Sequence, residues 1–158
     1  TYRIKDDCNN FIDVDQIITV DDNTPPSGMA PADVAVQCIG DVPVVDISTV
    51  TGVSDNCTAN PTVTHIGDIS DGNTCPEIIT RTYRIEDDCD NFIDVNQIIT
   101  VDDNTPPSGT APADVVVQCI GDVPAVDISS VTGVSDNCTA NPTVTVIRVL
   151  RLSPVLIA

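Results

Sequence analysis

With 158 residues, 24 acidic side chains against six Lys and Arg, and a net charge of −18, the chain carries the wrong sign for a phosphate-rich partner. Nucleic acid is excluded because backbone binding needs clustered Lys and Arg, and anionic membrane surfaces are disfavoured on the same ground. Trp is absent and Phe and Tyr number two each, so the core must come from Val, Ile and Thr, with stability supplied by some further device. No apolar run is long enough to span a bilayer, and no signal peptide is recognisable.

Residues 1–64 return as residues 82–145 with 7 differences in 64 positions, so one period is 81 residues. Self-similarity at a fixed period marks an array built from one folding unit. Tandem near-identical units supply length, stiffness or many weak contacts more readily than one active site. The expected division is residues 1–23 as the last two strands of a preceding repeat, 24–104 as a complete repeat, and 105–158 as the first part of the next. The chain thus opens in mid-repeat, which reads as a piece of a longer array. Residues 146–158 (VIRVLRLSPVLIA) are off pattern, standing where the first copy has HIGDISDGNTCPE, with two of the six basic residues and no acid or cysteine.

In chain order, residues 21–33 (DDNTPPSGMAPAD) and 102–114 (DDNTPPSGTAPAD) each carry two adjacent prolines. Proline fixes φ and removes an amide donor, so this segment is expected to be an extended, stiff hinge outside any sheet. Residues 32–38 alternate, with Val34, Val36 and Cys38 on one face. Further strands are expected at 44–53, 62–69 and 78–85. In residues 93–101, Ile93, Val95, Ile99 and Val101 share a face, and Gln97 is the exception. Turn formers separate these runs at Ile39-Gly40-Asp41, Ser54-Asp55-Asn56, Asp71-Gly72-Asn73 and residues 87–91. The fold class expected is all-β: tandem immunoglobulin-like antiparallel β-sandwich domains with disulfides and short Pro-rich linkers.

One period holds four cysteines, Cys38, Cys57, Cys75 and Cys89, with no CxxC pair and only His65 as a nitrogen ligand, so a zinc cluster does not fit. Disulfides in an extracellular setting do. Four cysteines allow three pairings. Strand order in a sandwich puts Cys38 with Cys75 at one end and Cys57 with Cys89 at the other, and this pairing is favoured. Each would close a loop worth roughly 3–4 kcal/mol in the chain-entropy model. Cys8, Cys119 and Cys138 are then left without partners in this chain.

Asp and Asn gather at three places per repeat. They are the linker (Asp21, Asp22, Asn23), the loop after the second strand (Asp55, Asn56), and the penultimate loop (Glu86, Asp87, Asp88, Asp90, Asn91). The second copy supplies Asp102, Asp103, Asn104, Asp136 and Asn137. In the sandwich these segments share one end, and hard oxygen ligands converging from three segments suit calcium. The competing reading is that turns favour Asp and Asn and that acids keep strand edges from pairing.

No catalytic constellation stands out. His65 has Val146 as its counterpart, and adjacent acids such as Asp87 and Asp88 lack the aromatic platform that a sugar-cleaving site uses. Asn56-Cys57-Thr58 and Asn137-Cys138-Thr139 match the N-glycosylation pattern, which matters only in a eukaryotic secretory route.

The succession VQC…SDNCTANPTVT…CPEIITRTYRIEDDCDNFIDVNQIITVDDNTPP resembles the HYR-type, immunoglobulin-like repeats of large surface proteins from Bacteroidota, in particular the tandem arrays of gliding-motility adhesins exported by the type IX system. It covers residues 1 to about 145. The resemblance implies a β-sandwich stalk on the cell exterior, with adhesion or filament building as its role, and supplies no catalytic residue. The expected function is therefore a structural stalk or filament module, not an enzyme, whose partners are neighbouring repeats or identical subunits. One alternative is a binding module that takes a surface glycan or protein at its loop ends. The other is a filament subunit completed by strands from a neighbour.

Overall fold

The computed structural model describes residues 1–147, and most of the off-pattern tail lies outside them. The described residues are predominantly β, with short 3-10 turns as their helical content. In chain order the strands are β1 (Tyr2–Lys5), β2 (Phe11–Val14), β3 (Ser27–Met29), β4 (Val34–Val36), β5 (Thr51–Ser54), β6 (Thr62–Ser70), β7 (Glu77–Glu86), β8 (Phe92–Val101), β9 (Ser108–Thr110) and β10 (Thr132–Ser135). A four-stranded sheet runs β4-β8-β7-β6, and β1-β2, β3-β5 and β9-β10 form two-stranded pieces. The chain divides into two compact units, and the division cuts across β6, β7 and β8. The first unit is Thr1–Asp33, Val44–Ile69 and Thr80–Ile98, and the second is Val34–Pro43, Ser70–Ile79 and Ile99–Ala158.

In the first unit, the core is Val50, Tyr83 and Ile85, with Val53, Val63, Ile93 and Val95 packed against it. It follows from period-two alternation in β7, which sends Arg81, Tyr83 and Ile85 to the buried side and leaves their neighbours half-buried. Arg81 is an ion in that row, 4% exposed. Its guanidinium forms a two-pronged pair with Asp68, Nε to Oδ1 at 2.9 Å and Nη2 to Oδ2 at 2.8 Å. That pairing offsets the cost of burying the charge. Gln97, the exception in the β8 pattern, is also buried, and its amide donates to the Ala32 carbonyl at 2.7 Å.

The diproline segment departs from expectation. Ser27–Met29 directly follows Pro25 and Pro26 and pairs antiparallel with β5, with an irregular register between Ser27↔Ser54 and Met29↔Thr51. The prolines stay outside the ladder, which removes the objection to a strand beginning after them. Gly52 provides the positive φ (65°) at the irregularity, and Gly133 repeats it at 62° beside β9. The strand expected at 44–53 is shorter than its alternation suggests. Ile47–Thr49 forms a 3-10 turn capped by the Asp46 carboxylate, and pairing begins at Thr51.

In the second unit, Ile79, Ile99 and Val101 are buried, with Val36 and Val42 against them. Here β4 pairs with β8 in parallel (Val34↔Ile99, Val36↔Val101), so the sheet is mixed and not wholly antiparallel. A parallel pair needs a long crossover, and the chain between β4 and β8 supplies one through β5, β6 and β7. Because the two strands run the same way, β4 and β8 end side by side. The Asp102 amide donates to the Val36 carbonyl at 2.9 Å just where β8 leaves the sheet for the second copy.

Candidate functional site

Three loops of the first unit are fixed by their own Asp side chains. In the β7–β8 loop the Asp87 Oδ1 accepts from the amides of Cys89 and Asn91 at 2.8 and 2.9 Å, and Oδ2 accepts from Asn91 Nδ2 at 2.8 Å. Asp90 sits at φ 66°, a region that Asp and Asn tolerate better than most residues. In the β5–β6 loop Asp55 Oδ2 accepts from the amides of Cys57 and Thr58, both at 2.8 Å. These bonds, Thr58 first, hold the Asp55 carboxyl below the usual carboxylate range. Before the diproline, Asp22 Oδ1 accepts from the Thr24 amide at 3.1 Å and from Asn56 Nδ2 at 3.2 Å. Cross-links lock the loops together: Asn91 Nδ2 donates to the Asp22 carbonyl at 3.0 Å, and the Asp88 amide donates to Thr58 Oγ1 at 3.0 Å.

The outcome is a carboxylate triad. One oxygen each from Asp22, Asp55 and Asp87 lies within 4.8 Å of the others. Asp22 is 9% exposed, Asp87 7%, and Asp55 is half-buried. The Asp22 Oδ2 and Asp55 Oδ1 atoms are buried and accept no hydrogen bond. The three arginines of the first unit are engaged elsewhere: Arg3 pairs with Asp13, Arg81 with Asp68 and Arg84 with Asp94. Partial desolvation, followed by the Asp22 charge, pushes the neighbouring Cys57 thiol up.

Of the other residues singled out in this region, Asp21, Asn23, Asp88 and Asp90 are exposed and lie outside the triad, while the exposed Asn56 serves as a donor to Asp22. In the second unit Asp103 and Asp136 occupy the positions 81 residues beyond Asp22 and Asp55 and are half-buried in turn. Asp136 Oδ2 accepts from the amides of Cys138 and Thr139 at 3.0 and 2.8 Å, and Asp103 Oδ1 from Thr105 at 3.0 Å, as their counterparts do. Asp102 is exposed, and Asn104 Oδ1 accepts from Gln37 Nε2 at 3.3 Å.

The expected disulfides do not form. Cys38 is bonded to Cys138, with Cα atoms 5.1 Å apart, and Cys75, Cys57 and Cys89 are free thiols, as are Cys8 and Cys119. The reason lies in the parallel β4–β8 pair. Cys38 follows β4 at the end where β8 departs, so it meets the loop after β10 in the second copy and not a residue of its own repeat. Gln37 holds the approach: its Oε1 accepts from Thr105 Oγ1 at 2.8 Å and from Asn137 Nδ2 at 2.9 Å. In the sequence, Gln37 is marked only by being a polar residue between an alternating strand and a cysteine.

His65 Nε2 lies 2.8 Å from Asp68 Oδ1, and the same carboxylate carries the Arg81 fork. The Arg81 guanidinium, the leading cause, keeps Asp68 below the ordinary range. The His65 ring meets Tyr83 edge-on at 5.9 Å between centroids, which places it in a packing network around a buried arginine. Phe92 is 46% exposed and lies beneath Arg84, whose guanidinium carbon is 3.7 Å from the ring centre. No helix among the described residues is long and apolar enough to cross a membrane. No family model, curated protein or solved structure matches the chain.

Proposed function

We propose that the chain is a structural module: a stretch of tandem immunoglobulin-like β domains from the stalk or filament of an extracellular bacterial surface adhesin. The observation that carries this reading is the Cys38–Cys138 bond. Its two cysteines belong to different copies, since Cys138 repeats Cys57 and Cys119 repeats Cys38 at the 81-residue period. A bond between successive copies is a mechanical feature, because it ties one copy of the sequence repeat to the next and bears load along the array. Repeated down an array, the same link would join each first-strand cysteine to the loop after the second strand of the following repeat. A disulfide of this kind also suits an oxidising exterior. The net charge of −18 keeps such an array soluble and self-repelling.

Force spectroscopy of the 158-residue chain, pulled from its ends, tests the reading. The oxidised chain should withhold the segment between the bonded cysteines, 100 residues apart. Reduction should release it as roughly 330–360 Å of extra length. Equal extension before and after reduction would remove the load-bearing link and the reading with it.

A further inference from the structure

We propose that Asp22, Asp55 and Asp87 form a calcium site that clamps three loops of the first unit. Three features converge on a cation. First, the triad's oxygens lie within 4.8 Å of one another. Calcium, with oxygens at 2.3–2.6 Å, spans up to about 5 Å between opposed ligands, so one ion can reach all three. Second, two of these groups present buried oxygens with no hydrogen bond, Asp22 Oδ2 and Asp55 Oδ1, and Asp22 is only 9% exposed. A buried, unpaired carboxylate oxygen is costly, and two of them beside a third carboxylate more so. A bound divalent ion satisfies both atoms and the accumulated charge together.

Third, the remaining oxygens are already spent on shaping the site. Asp22 Oδ1 and Asp55 Oδ2 each hold local amides, which leaves Asp22 Oδ2 and Asp55 Oδ1 for an ion, while Asp87 accepts within its own turn through both oxygens. The donors are all carboxylate oxygens from three separate segments, a hard set that favours calcium over softer metals. The half-buried Asp55 side leaves an approach for water to complete the coordination. Bound there, the ion joins the segment before the diproline to the β5–β6 and β7–β8 loops. This inference stands apart from the load-bearing role of the disulfide, so either can fail alone.

Calcium titration of the chelator-stripped, full-length chain by calorimetry, paired with thermal unfolding, tests the site. One ion per chain and a melting temperature that climbs with free calcium are expected. Asp22→Asn keeps the volume and the Oδ1 acceptor but removes a charge, so it should weaken calcium affinity by about tenfold or more. In chelator the same variant should melt no lower than the parent, because it relieves repulsion. Asp55→Asn, which also keeps its amide acceptor, carries the same test should Asp22→Asn fail to fold. Asp41→Asn, an exposed acid outside the triad, should leave the affinity unchanged. Absence of binding at millimolar calcium would overturn the site, as would parental affinity in both triad variants. Equal affinity for magnesium would overturn the assignment to calcium.

Discussion

The hairpin β1–β2 and the hairpin β7–β8 share a sequence almost residue for residue, yet one is exposed and the other is core. Tyr2 is 60% exposed and Tyr83 1%, and Ile4 is 59% exposed and Ile85 0%. Their internal structures nevertheless agree. Arg3 pairs with Asp13 and lies 3.9 Å from the Phe11 ring centre, as Arg84 pairs with Asp94 and covers Phe92. The turn is the same in both, with Asp6 Oδ1 taking the Cys8 and Asn10 amides as Asp87 takes those of Cys89 and Asn91. The left-handed residue recurs at Asn9 (69°) and Asp90 (66°). The hairpin's shape is therefore written locally, whereas its burial depends on the chain packed against it.

That contrast makes unequal effects from equal substitutions the strongest test. Tyr83→Ala should cost about 3–5 kcal/mol, the range for emptying a packed aromatic position, and Tyr2→Ala within about 0.5 kcal/mol of zero. Urea unfolding of the two variants measures both. Similar losses would mean that Tyr2 is as buried as Tyr83 and would break the comparison.

The same division between local and distant explains what could be read from the residues. Alternation in residues 93–101 marks β8, and the Gln97 exception coincides with a buried amide that bonds the Ala32 carbonyl. Pairing partners were not legible. That β4 runs parallel to β8, and so delivers Cys38 to Cys138, depends on which sheet edge receives a three-residue strand. Periodicity carries no information on that choice. For the carboxylates, the converging segments were legible but not the individual ligands. Asp21 and Asp22, or Asp87 and Asp88, are equivalent as letters, and amide bonds within each turn decide which one faces inward.

A smaller effect sharpens the contrast at a glycine. A Cβ at Gly28 would strike Cδ1 of Ile85, itself fully buried, whereas at Gly109 the nearest atoms are Val131 and Val134 methyls at 3.7 Å. Gly28→Ala should therefore cost about 1–3 kcal/mol through overpacking, and Gly109→Ala next to nothing. The melting temperatures of the two variants report the difference directly. Equal tolerance at both sites would show that the Ile85 side chain yields freely and that the first-unit core is less closely packed than its burial implies.

The smallest effect is one in which the copies should agree. Asp13 and Asp94 are both held below the ordinary carboxylate range, each chiefly by hydrogen bonding to its own arginine, Arg3 or Arg84. A carboxylate whose folded pKa is depressed contributes stability above its unfolded value, near 3.9, and loses it as pH falls through the folded value. Both pairs should therefore persist through neutral and mildly acidic solution and open together below about pH 4. Carboxyl carbon shifts followed by NMR titration should give two similar depressed midpoints. Arg3→Gln should restore only Asp13 to the ordinary range, and Arg84→Gln only Asp94. Because the two hairpins differ so widely in burial, coincident midpoints would isolate the ion pair as a property of the hairpin sequence alone. Widely separated midpoints would instead show that the surroundings of β7 and β8 tune even this exposed pair, and that the local code is weaker than the shared geometry suggests.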